Sequence, residues 1–464
     1  MSSPLVLVMA AGEGTRMRSS RPKMLHPVCG RAMVAWPILA ARDAGAGRVA
    51  AIVSPGRDIS AGLPEGVDTV VQPKPDGTGG AIRAALPLIA KSGETVLVLS
   101  GDVPLLSAEV IGGLLEAHAA SDAAATMLTI ELDDPGAYGR VVRGPSGEVE
   151  RVVEAKAAGD ASGEELAIRE INAGTYAFDA APLAAALAVL SNDNAQGEYY
   201  LPDVFPALRE AGQTVAAHVA DDIAVTMGVN NRADLAAVEA EGRRRLLEAH
   251  MLAGVTVVDP GSTWVDAGVE IAADARIEPG TSLRGRTEVG AGSVVGPLTT
   301  LTDTRLGEGV AVPHSYLVEC DVLDGCAVGP FAYLRPGAHL EPGAKAGAFV
   351  EIKNTRLGAG AKVPHLAYVG DAEVGEGSNL GAGTITANYD GFRKNRTVIG
   401  KNVRIGVDTM LIAPVEVGDA AYTGAGAVID DDVPEGALAV SQNEQRNIEG
   451  FADRKAKMQG DETT

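Results

Sequence analysis

Aliphatic residues recur at every sixth position through much of the second half of the chain, from about residue 270 to about residue 433. Neither an α-helix nor a simple β-strand produces this period. A chain that turns a corner after each short strand does, because every strand then sends one aliphatic side chain inward. The pattern therefore predicts a parallel β-helix, whose stacked coils bury one continuous apolar column. The inward positions, interrupted by short slips, are Ile271, Ile277, Leu283, Val289, Val295, Leu301, Val328, Leu334, Leu340, Ala346, Ile352, Leu357, Val363, Val369, Ile399, Ile405, Leu411, Val417, Thr423 and Ile429.

The first half of the chain shows a different pattern, in which short apolar runs alternate with helical stretches such as 78–91. Continuous runs of Val, Leu and Ile are typical of strands that are buried on both faces of a parallel sheet. Their alternation with helices predicts an α/β doubly wound domain, with ligands bound at the carboxyl ends of the strands. The predicted strands are 4–10, 48–54, 67–72 and 95–100.

Residues 231–253 predict an amphipathic helix between these two patterns, beginning at Asn230 or Asn231. We therefore predict an α/β domain over 1–230, a linker helix over 231–253, and a β-helix domain with a C-terminal tail over 254–464.

Composition narrows the functional classes. The net charge of −22 over 464 residues disfavours a nucleic-acid or anionic-membrane partner, because both would repel the protein. The three cysteines have neither disulfide-framework nor metal-ligand spacing. The short apolar run at the start leads straight into a glycine-rich loop, which is not the pattern of a signal peptide. No run reaches the length of a membrane span, so we expect a cytoplasmic protein.

The first predicted strand runs into a loop that contains Gly12, Gly14, Arg16 and Lys23. The glycines allow the backbone N–H groups to approach a phosphate closely, and the two cations supply the charge that a polyphosphate needs. A lone Gly-x-Gly would indicate no more than a tight turn. The strand, the GTRM sequence and the following Pro-Lys make the prediction of a phosphate-binding loop more specific.

Asp102 follows the predicted strand 95–100 and should lie at the same edge of the sheet. A carboxylate beside a phosphate loop is suited to bind Mg²⁺, which takes oxygen ligands and bridges phosphates. The alternative is that Asp102 caps the next helix, although Ser107 could perform that role instead.

These motifs carry a family resemblance: AAGEGTRM, RPK, GTGGA and SGDVPLL, followed by Tyr138-Gly139-Arg140, VEAK, EINAG and GVNNR. The first four resemble sugar-1-phosphate nucleotidyltransferases. Together with the β-helix, nearly the whole chain resembles the bifunctional bacterial enzymes that make UDP-N-acetylglucosamine. The resemblance implies a left-handed β-helix and two reactions. Acetyl-CoA first acetylates glucosamine-1-phosphate, and UTP then transfers UMP to N-acetylglucosamine-1-phosphate with release of pyrophosphate, which supplies precursors of peptidoglycan and lipopolysaccharide.

The family match, taken residue by residue, implies the parts of the uridylyltransferase site. Arg16 and Lys23 would contact the phosphates as catalytic cations, and Asp102 and Asn230 would hold Mg²⁺. No protein nucleophile is needed, since positioning and electrostatics can drive the transfer. His26 is interpreted as structural. The residues implied to bind the nucleotide and the sugar are Met9, Ala10, Ala11, Gly12, Gln72, Gly77, Thr78, Ser100, Gly101, Gly139, Glu154 and Asn172.

The same match implies an acetyltransferase site on the β-helix. His365 would be the general base that deprotonates the attacking amine, and imidazole titrates near the pH at which such a base is useful. Arg335, Lys353, Tyr368 and Asn379 would bind the sugar phosphate. The residues implied to bind acetyl-CoA are Ala382, Asn388, Tyr389, Val407, Ala425 and Gln442. A homotrimer is implied, because in the family acetyl-CoA binds between neighbouring β-helices.

Two positions depart from the family pattern: Val407 stands where a Ser is common, and Gln442 where an Arg usually meets the coenzyme A phosphates. These departures concern coenzyme A affinity more than the chemistry.

Two alternatives remain. In one, the protein is a single-function nucleotidyltransferase whose β-helix only drives oligomerisation. In the other, it is a scaffold with a ligand-binding head. The joint presence of His365, Arg335 and Lys353 argues against the first, and that of Arg16 and Asp102 against the second.

Overall fold

A computed structural model describes residues 3–92, 95–145, 147–155, 161–193, 197–441, 445 and 447–454. The chain divides into two compact units, Met1–Leu246 and Leu247–Thr464. Each unit has its own architecture. None of the helices in the described part of the chain has the length and apolarity that a membrane span requires.

The first unit is built on a mixed, largely parallel sheet. The strands of this unit are β1 (Leu5–Met9), β2 (Pro27–Val28), β3 (Arg31–Ala32), β4 (Arg48–Val53), β5 (Asp68–Val71), β6 (Thr95–Ser100), β7 (Ala125–Glu131), β8 (Arg140–Arg143), β9 (Val149–Val153), β10 (Glu170–Asp179) and β11 (Val215–Val219). The order in the sheet is β11-β7-β10-β6-β1-β4-β5. The antiparallel strand β10 lies between β6 and β7, and β8 pairs with both β10 and β9. The four predicted strands correspond to β1, β4, β5 and β6.

Helices cover both faces of this sheet, as a doubly wound fold requires. The stretch 78–91, predicted as continuous helix, is two helices that meet at Ala85. Pro87 explains the break, because proline fits the first turn of a helix but not its interior. The helices are α1 (Ala35–Asp43), α2 (Gly77–Ala84), α3 (Leu86–Ser92), α4 (Ala108–Ala120), α5 (Gly163–Leu166), α6 (Ala180–Val189), α7 (Val204–Glu210) and α8 (Arg232–Leu252).

The helix α8 begins as the sequence predicts. The Asn231 carboxamide oxygen accepts hydrogen bonds from the backbone N–H groups of Ala233 and Asp234, at 2.7 and 3.0 Å, and so satisfies donors that a helix start leaves free. Val238 is buried in an apolar cluster of the first unit, with Leu235 and Leu246 packed against that cluster. This part of α8 therefore contributes to the core of the first unit.

The second unit is a left-handed parallel β-helix with three faces, each a ladder of short parallel strands. The first face comprises Thr256–Val257, Arg276–Ile277, Val294–Val295, Ala311–Val312, Ala327–Val328, Lys345–Ala348, Lys362–His365, Asn379–Leu380, Arg404–Ile405, Tyr422–Thr423 and Leu438–Ala439. The second face comprises Trp264–Val265, Ser282–Arg284, Thr300–Thr302, Tyr316–Val318, Tyr333–Leu334, Glu351–Lys353, Tyr368–Gly370, Ile385–Ala387, Met410–Ile412 and Val428–Ile429. The third face comprises Glu270–Ile271, Glu288–Val289, Arg305–Leu306, Asp321–Val322, His339–Leu340, Arg356–Leu357, Ala372–Val374, Thr397–Ile399 and Val415–Val417.

The inward column is the one that the period of six predicts. Apart from the half-buried Ile271, every predicted inward residue is buried, and Leu334, Ile352 and Val363 are fully so. The polar member, Thr423, is buried too, and its hydroxyl lies 3.1 Å from that of Thr409. The predicted fold class is therefore confirmed for both halves of the chain.

Candidate active sites

A cavity of about 720 Å³ opens at the carboxyl edge of the first unit's sheet. The strands β1 and β6 pair in parallel with Met9 opposite Ser100, so the loops that follow both strands reach the same edge. Many of the residues that the family match assigned to this site line the cavity: Met9, Ala11, Gly12, Lys23, Gln72, Gly77, Thr78, Ser100, Asp102, Glu154 and Asn172.

Lys23 and Asp102 meet on the wall of this cavity, with 2.6 Å between the ammonium nitrogen and Oδ2. Lys23 is buried, whereas the Asp102 side chain is 28% exposed. The helix α4 is capped by Ser107, whose hydroxyl accepts from Val110 N–H. The carboxylate of Asp102 is therefore not needed as the cap and faces the cavity instead.

Asn230 and Arg16 form a second polar pair, in which Arg16 Nη2 donates to Asn230 Oδ1 at 2.8 Å. A backbone hydrogen bond from Val229 N–H to the Asp102 carbonyl, at 2.9 Å, holds this pair next to the first one. Two side-chain oxygens, each now satisfied by a cation, thus lie on neighbouring segments. No cluster of three or more His, Cys, Asp or Glu that could hold a metal occurs in the described part of the chain.

The nucleotide end of the cavity is shaped by Gln72 and the start of α2. Gln72 is buried, and its Nε2 donates to Asp76 Oδ1 and to the Gly77 carbonyl, at 2.9 and 3.1 Å. These bonds orient the amide and leave its carbonyl oxygen as an acceptor. Gly77 has a φ of +93°, and a Cβ there would lie 2.5 Å from the Tyr199 carbonyl, so only glycine fits. The Thr78 hydroxyl accepts from Leu201 N–H at 3.0 Å.

Asn172 belongs to a bulged part of β10, where the register with β7 shifts between Asn172 and Tyr176. Both side chains line the cavity, where Asn172 Nδ2 donates to the Tyr176 hydroxyl at 2.8 Å. Burial raises the pKa of Tyr176, so this hydroxyl stays protonated. Tyr176 was not among the residues predicted from the sequence. The available signal was its spacing of four residues from Asn172, which places both side chains on one face of a strand.

Three assigned residues support this site from outside the lining. Ala10 is buried and donates its N–H to the Ile52 carbonyl. A Cβ on Gly101 would lie 2.9 Å from the Met9 carbonyl, so glycine allows β1 and the Asp102 loop to approach each other. The Gly139 carbonyl accepts from Asn172 N–H at 3.0 Å. His26 is buried, in keeping with its structural interpretation.

The second candidate site begins at His365, which ends a strand on the first face of the β-helix. Its side chain is exposed, and within the described residues its imidazole makes no hydrogen bond. The strand register places Ala382, Val407 and Ala425 at the equivalent position on successive coils. Three of the residues assigned to acetyl-CoA thus form one column with the assigned base. Gln442, also assigned to acetyl-CoA, lies outside the described residues.

Arg335 and Lys353 lie one above the other on the second face, because the residues just before them, Leu334 and Ile352, are paired in neighbouring strands. Arg335 donates to Glu351 at 2.7 Å, and Lys353 lies 3.9 Å from Asp371. Lys394 lowers the pKa of Lys353, and the charge of Arg335 adds to that shift. Three cations therefore face one region, as an anion site requires.

Tyr368 and Asn388 are joined to this region by Asp371. Asn388 Nδ2 donates to Asp371 Oδ2 at 2.5 Å and lies 3.4 Å from the Tyr368 hydroxyl. Burial tends to raise the pKa of Asp371, but hydrogen bonds from Asn354 and Asn388 lower it overall. The structure thus places Asn388 beside Tyr368, which the family match assigned to the sugar, although the same match assigned Asn388 to acetyl-CoA. The role of Asp371 in joining these side chains was not predicted from the sequence.

Two assigned residues lie apart from this cluster within one chain. Asn379 is on the first face, between Lys362 and Arg404 in the ladder, rather than beside Arg335 and Lys353 on the second face. Tyr389 is exposed, and its hydroxyl donates to the Gly391 carbonyl at 2.7 Å.

Both halves of the chain are similar to known proteins. Residues 6–254 match the model of the MobA-like NTP transferase domain, and residues 396–431 match the bacterial transferase hexapeptide, six repeats. The protein called bifunctional protein GlmU in Corynebacterium efficiens is 47% identical over 98% of this chain and 94% of its own length. Those of Mycobacterium bovis (strain BCG / Pasteur 1173P2) and Mycobacterium ulcerans are 49% and 48% identical over 97% of this chain, and 92% and 93% of their own lengths.

This level of identity over nearly the full length covers the nucleotidyltransferase unit and the β-helix together. The resemblance inferred from the motifs is confirmed, and the single-function and scaffold alternatives are not favoured. The chain belongs to the bifunctional GlmU family, whose members combine an acetyltransferase and a uridylyltransferase for the synthesis of UDP-N-acetylglucosamine.

Proposed function

We propose that UTP and N-acetylglucosamine-1-phosphate react in the cavity of the first unit. The observation that carries this proposal is the paired arrangement Lys23–Asp102 and Arg16–Asn230 at the carboxyl edge of the sheet. A phosphate oxygen of the sugar attacks the α-phosphorus of UTP, and the bond to the departing pyrophosphate breaks. Lys23 and Arg16 turn from their present partners towards the phosphate oxygens and stabilise the charge that develops there.

The donor set of the first site fits Mg²⁺. Asp102 and Asn230 offer two oxygens on segments that a backbone bond holds together, and Mg²⁺ commonly takes one or two protein oxygens, with water and substrate phosphates completing its shell. When bound, the ion would neutralise phosphate charge. The Gln72 carbonyl would accept a hydrogen bond from the uracil imide N–H. Gly139, Glu154 and Asn172 would bind the acetylated sugar.

For the β-helix we propose acetyl transfer at the corner that carries His365. The exposed imidazole accepts a proton from the amine of glucosamine-1-phosphate as the amine nitrogen attacks the thioester carbonyl, and the C–S bond breaks to release coenzyme A. Arg335, Lys353 and Lys394 would hold the sugar phosphate. The column Ala382, Val407 and Ala425 has small or apolar side chains and would carry the pantetheine arm.

We further propose that the second site is completed by a neighbouring chain in a homotrimer. Asn379 lies on a different face from Arg335, so a second β-helix would be needed to bring it to the sugar. The β-helix also exposes an apolar corner that a partner could cover, formed by Leu298, Phe331, Phe349 and Leu366, which are 55–68% exposed. Light scattering on the purified protein should give the mass of a trimer. A monomer with full acetyltransferase activity would contradict this proposal.

An assay with glucosamine-1-phosphate, acetyl-CoA, UTP and Mg²⁺ tests the function as a whole. Mass spectrometry should show N-acetylglucosamine-1-phosphate first, followed by UDP-N-acetylglucosamine. Omission of UTP should stop the sequence at the acetylated sugar phosphate, whereas omission of acetyl-CoA should leave the amine unchanged. UTP consumption without acetyl-CoA, at the rate of the complete mixture, would show that the order or the substrate is wrong. We expect the reaction to take place in the cytoplasm, where both co-substrates are available.

A further inference from the structure

A single segment, Asp222 to Asn230, connects β11 to α8 and ends at the proposed metal ligand. It contains a short 3₁₀ turn, Ile223–Thr226, which Asp222 caps by accepting from Ala224 N–H at 3.0 Å. The position of Asn230 therefore depends on how this segment is held. The charged residues that hold the segment, Asp222, Asp234 and Arg245, do not themselves line the cavity.

Both ends of the segment are fastened to α8. At one end, Asp234 Oδ2 accepts from the Asn230 and Asn231 N–H groups, at 2.8 and 3.2 Å. At the other end, Arg245 donates from Nη1 and Nη2 to the two oxygens of Asp222, at 2.8 and 2.7 Å. The two attachment points on the helix are eleven residues apart, or about 16 Å along its axis.

Two further bonds tie the segment to the rest of the first unit, one of them to the cavity residue Asp102. Val229 N–H donates to the Asp102 carbonyl at 2.9 Å, and the Tyr138 hydroxyl donates to the Thr226 carbonyl at 2.7 Å. A segment with both ends fixed has few conformations left, so these bonds set the distance between Asn230 and Asp102.

We propose that Arg245 is a positioning residue for uridylyl transfer, which acts through Asp222 and the connecting segment to hold Asn230 in the geometry that the metal needs. The proposal rests on the proposed role of Asn230. A bidentate bond between arginine and a carboxylate fixes orientation as well as distance, which a single contact does not do. Groups that hydrogen-bond a metal ligand directly commonly change metal affinity 10–100-fold when they are removed, and Arg245 acts one step further from the ligand, so the lower end of this range applies.

Arg244 provides a matched control. It is the adjacent arginine on the same helix and bonds Glu241 through Nε and Nη2, at 2.8 and 2.9 Å. Arg245 also bonds Glu241, through Nε at 2.8 Å, so both substitutions take one cation from the same carboxylate. The bidentate bond to Asp222 comes from Arg245, and its loss distinguishes the two variants.

The experiment compares Arg245→Gln and Arg244→Gln in the full-length enzyme. We expect Arg245→Gln to raise the Mg²⁺ concentration for half-maximal uridylyl transfer about tenfold, with acetyl transfer unchanged, and Arg244→Gln to leave both near wild type. Hydrogen–deuterium exchange without metal supplies a readout that is independent of activity. Amides of residues 223–230 should exchange faster in Arg245→Gln than in Arg244→Gln.

Further variants keep the outcomes separate. Asp222→Asn should reproduce the metal effect, and the double variant with Arg245→Gln should be no worse than either single one, since both break the same contact. If Arg245→Gln does not fold, Arg245→Lys replaces it, and its metal requirement and amide exchange are compared with those of Arg244→Gln. Equal metal requirements and equal exchange in the Arg245 and Arg244 variants would overturn the inference. A wild-type metal requirement in Asn230→Ala would instead overturn the proposed metal site.

Discussion

Substitution of Gly14 by alanine should impair uridylyl transfer, although Gly14 contributes no side chain to the reaction. Gly14 has a φ of +62°, and a Cβ there would lie 2.6 Å from Lys23 Cβ and 3.3 Å from Lys23 Cδ. Carbon atoms in contact prefer about 3.5–4.0 Å, so Lys23 must move by about 1 Å or the loop must open. Either response moves the ammonium group away from its place beside Asp102.

The size of the effect follows from that displacement. A misplacement of about 1 Å can cost 10²-fold in rate, and we therefore expect kcat/KM for uridylyl transfer to fall about 10- to 100-fold. This corresponds to about 1.4–2.7 kcal/mol of lost transition-state stabilisation. The left-handed backbone adds a stability cost of about 1–2 kcal/mol, which has to be separated from the catalytic effect.

Gly212→Ala supplies the control. Gly212 also has a left-handed φ, of +76°, but a Cβ there would meet nothing within 4 Å. Both variants should therefore lose about 1–2 kcal/mol of stability from the left-handed backbone, and Gly14→Ala should lose somewhat more because Lys23 is displaced. Only Gly14→Ala should lose uridylyl transfer, measured as pyrophosphate release from UTP. Acetyl transfer, measured as free coenzyme A thiol, should not change in either variant. Wild-type kcat/KM in Gly14→Ala, or the same loss in Gly212→Ala, would refute the reasoning.

Three other outcomes are expected. A fragment 1–252 should retain uridylyl transfer and elute as a monomer in size-exclusion chromatography, whereas a fragment 1–230 should melt at a lower temperature because it lacks α8; equal melting temperatures would contradict this. Gln442→Arg should lower the KM for acetyl-CoA at low salt, with kcat little changed, and the gain should shrink at high salt as the new charge pair is screened; equal KM values at low salt would sink the idea. The hydrogen bonds from Arg245 lower the pKa of Asp222, so the contribution of this ion pair to stability is present above a pH of about 4 and is lost as pH falls through the lowered pKa. The difference in melting temperature between wild type and Arg245→Gln should therefore narrow from pH 7 to pH 3. A difference that widens would contradict the assignment.

The architecture of the β-helix could be predicted from the sequence because its signal is local and repeated. One aliphatic position in six is sufficient to identify the inward column, and residues such as Leu283 and Leu411 are buried as predicted. Pro87 also indicates the break between α2 and α3, but the helical period of the whole stretch led to the prediction of one continuous helix. A proline that fits a first turn therefore carries more information than the apolar pattern around it.

Side chains whose role depends on the fold were harder to find. Asp371 contacts Asn354 and Asn388, each 17 positions away, because one coil of the β-helix brings them together. Tyr176 lies on the same face of β10 as Asn172, four residues away, but the cavity is formed by that face together with loops from other elements. Residue type alone gives neither role, since both require the positions of neighbouring elements.

The central claim is that two independent sites perform successive reactions in one chain, with Asp102 essential to one and His365 to the other. The most direct measurement mixes purified Asp102→Ala with purified His365→Ala and supplies glucosamine-1-phosphate, acetyl-CoA, UTP and Mg²⁺. Alone, Asp102→Ala should accumulate N-acetylglucosamine-1-phosphate, and His365→Ala should acetylate about 10²–10⁴-fold more slowly than wild type. Mixed, they should form UDP-N-acetylglucosamine, because the acetylated intermediate diffuses from one protein to the other. A mixture of folded variants that forms no more UDP-N-acetylglucosamine than His365→Ala alone would contradict the account.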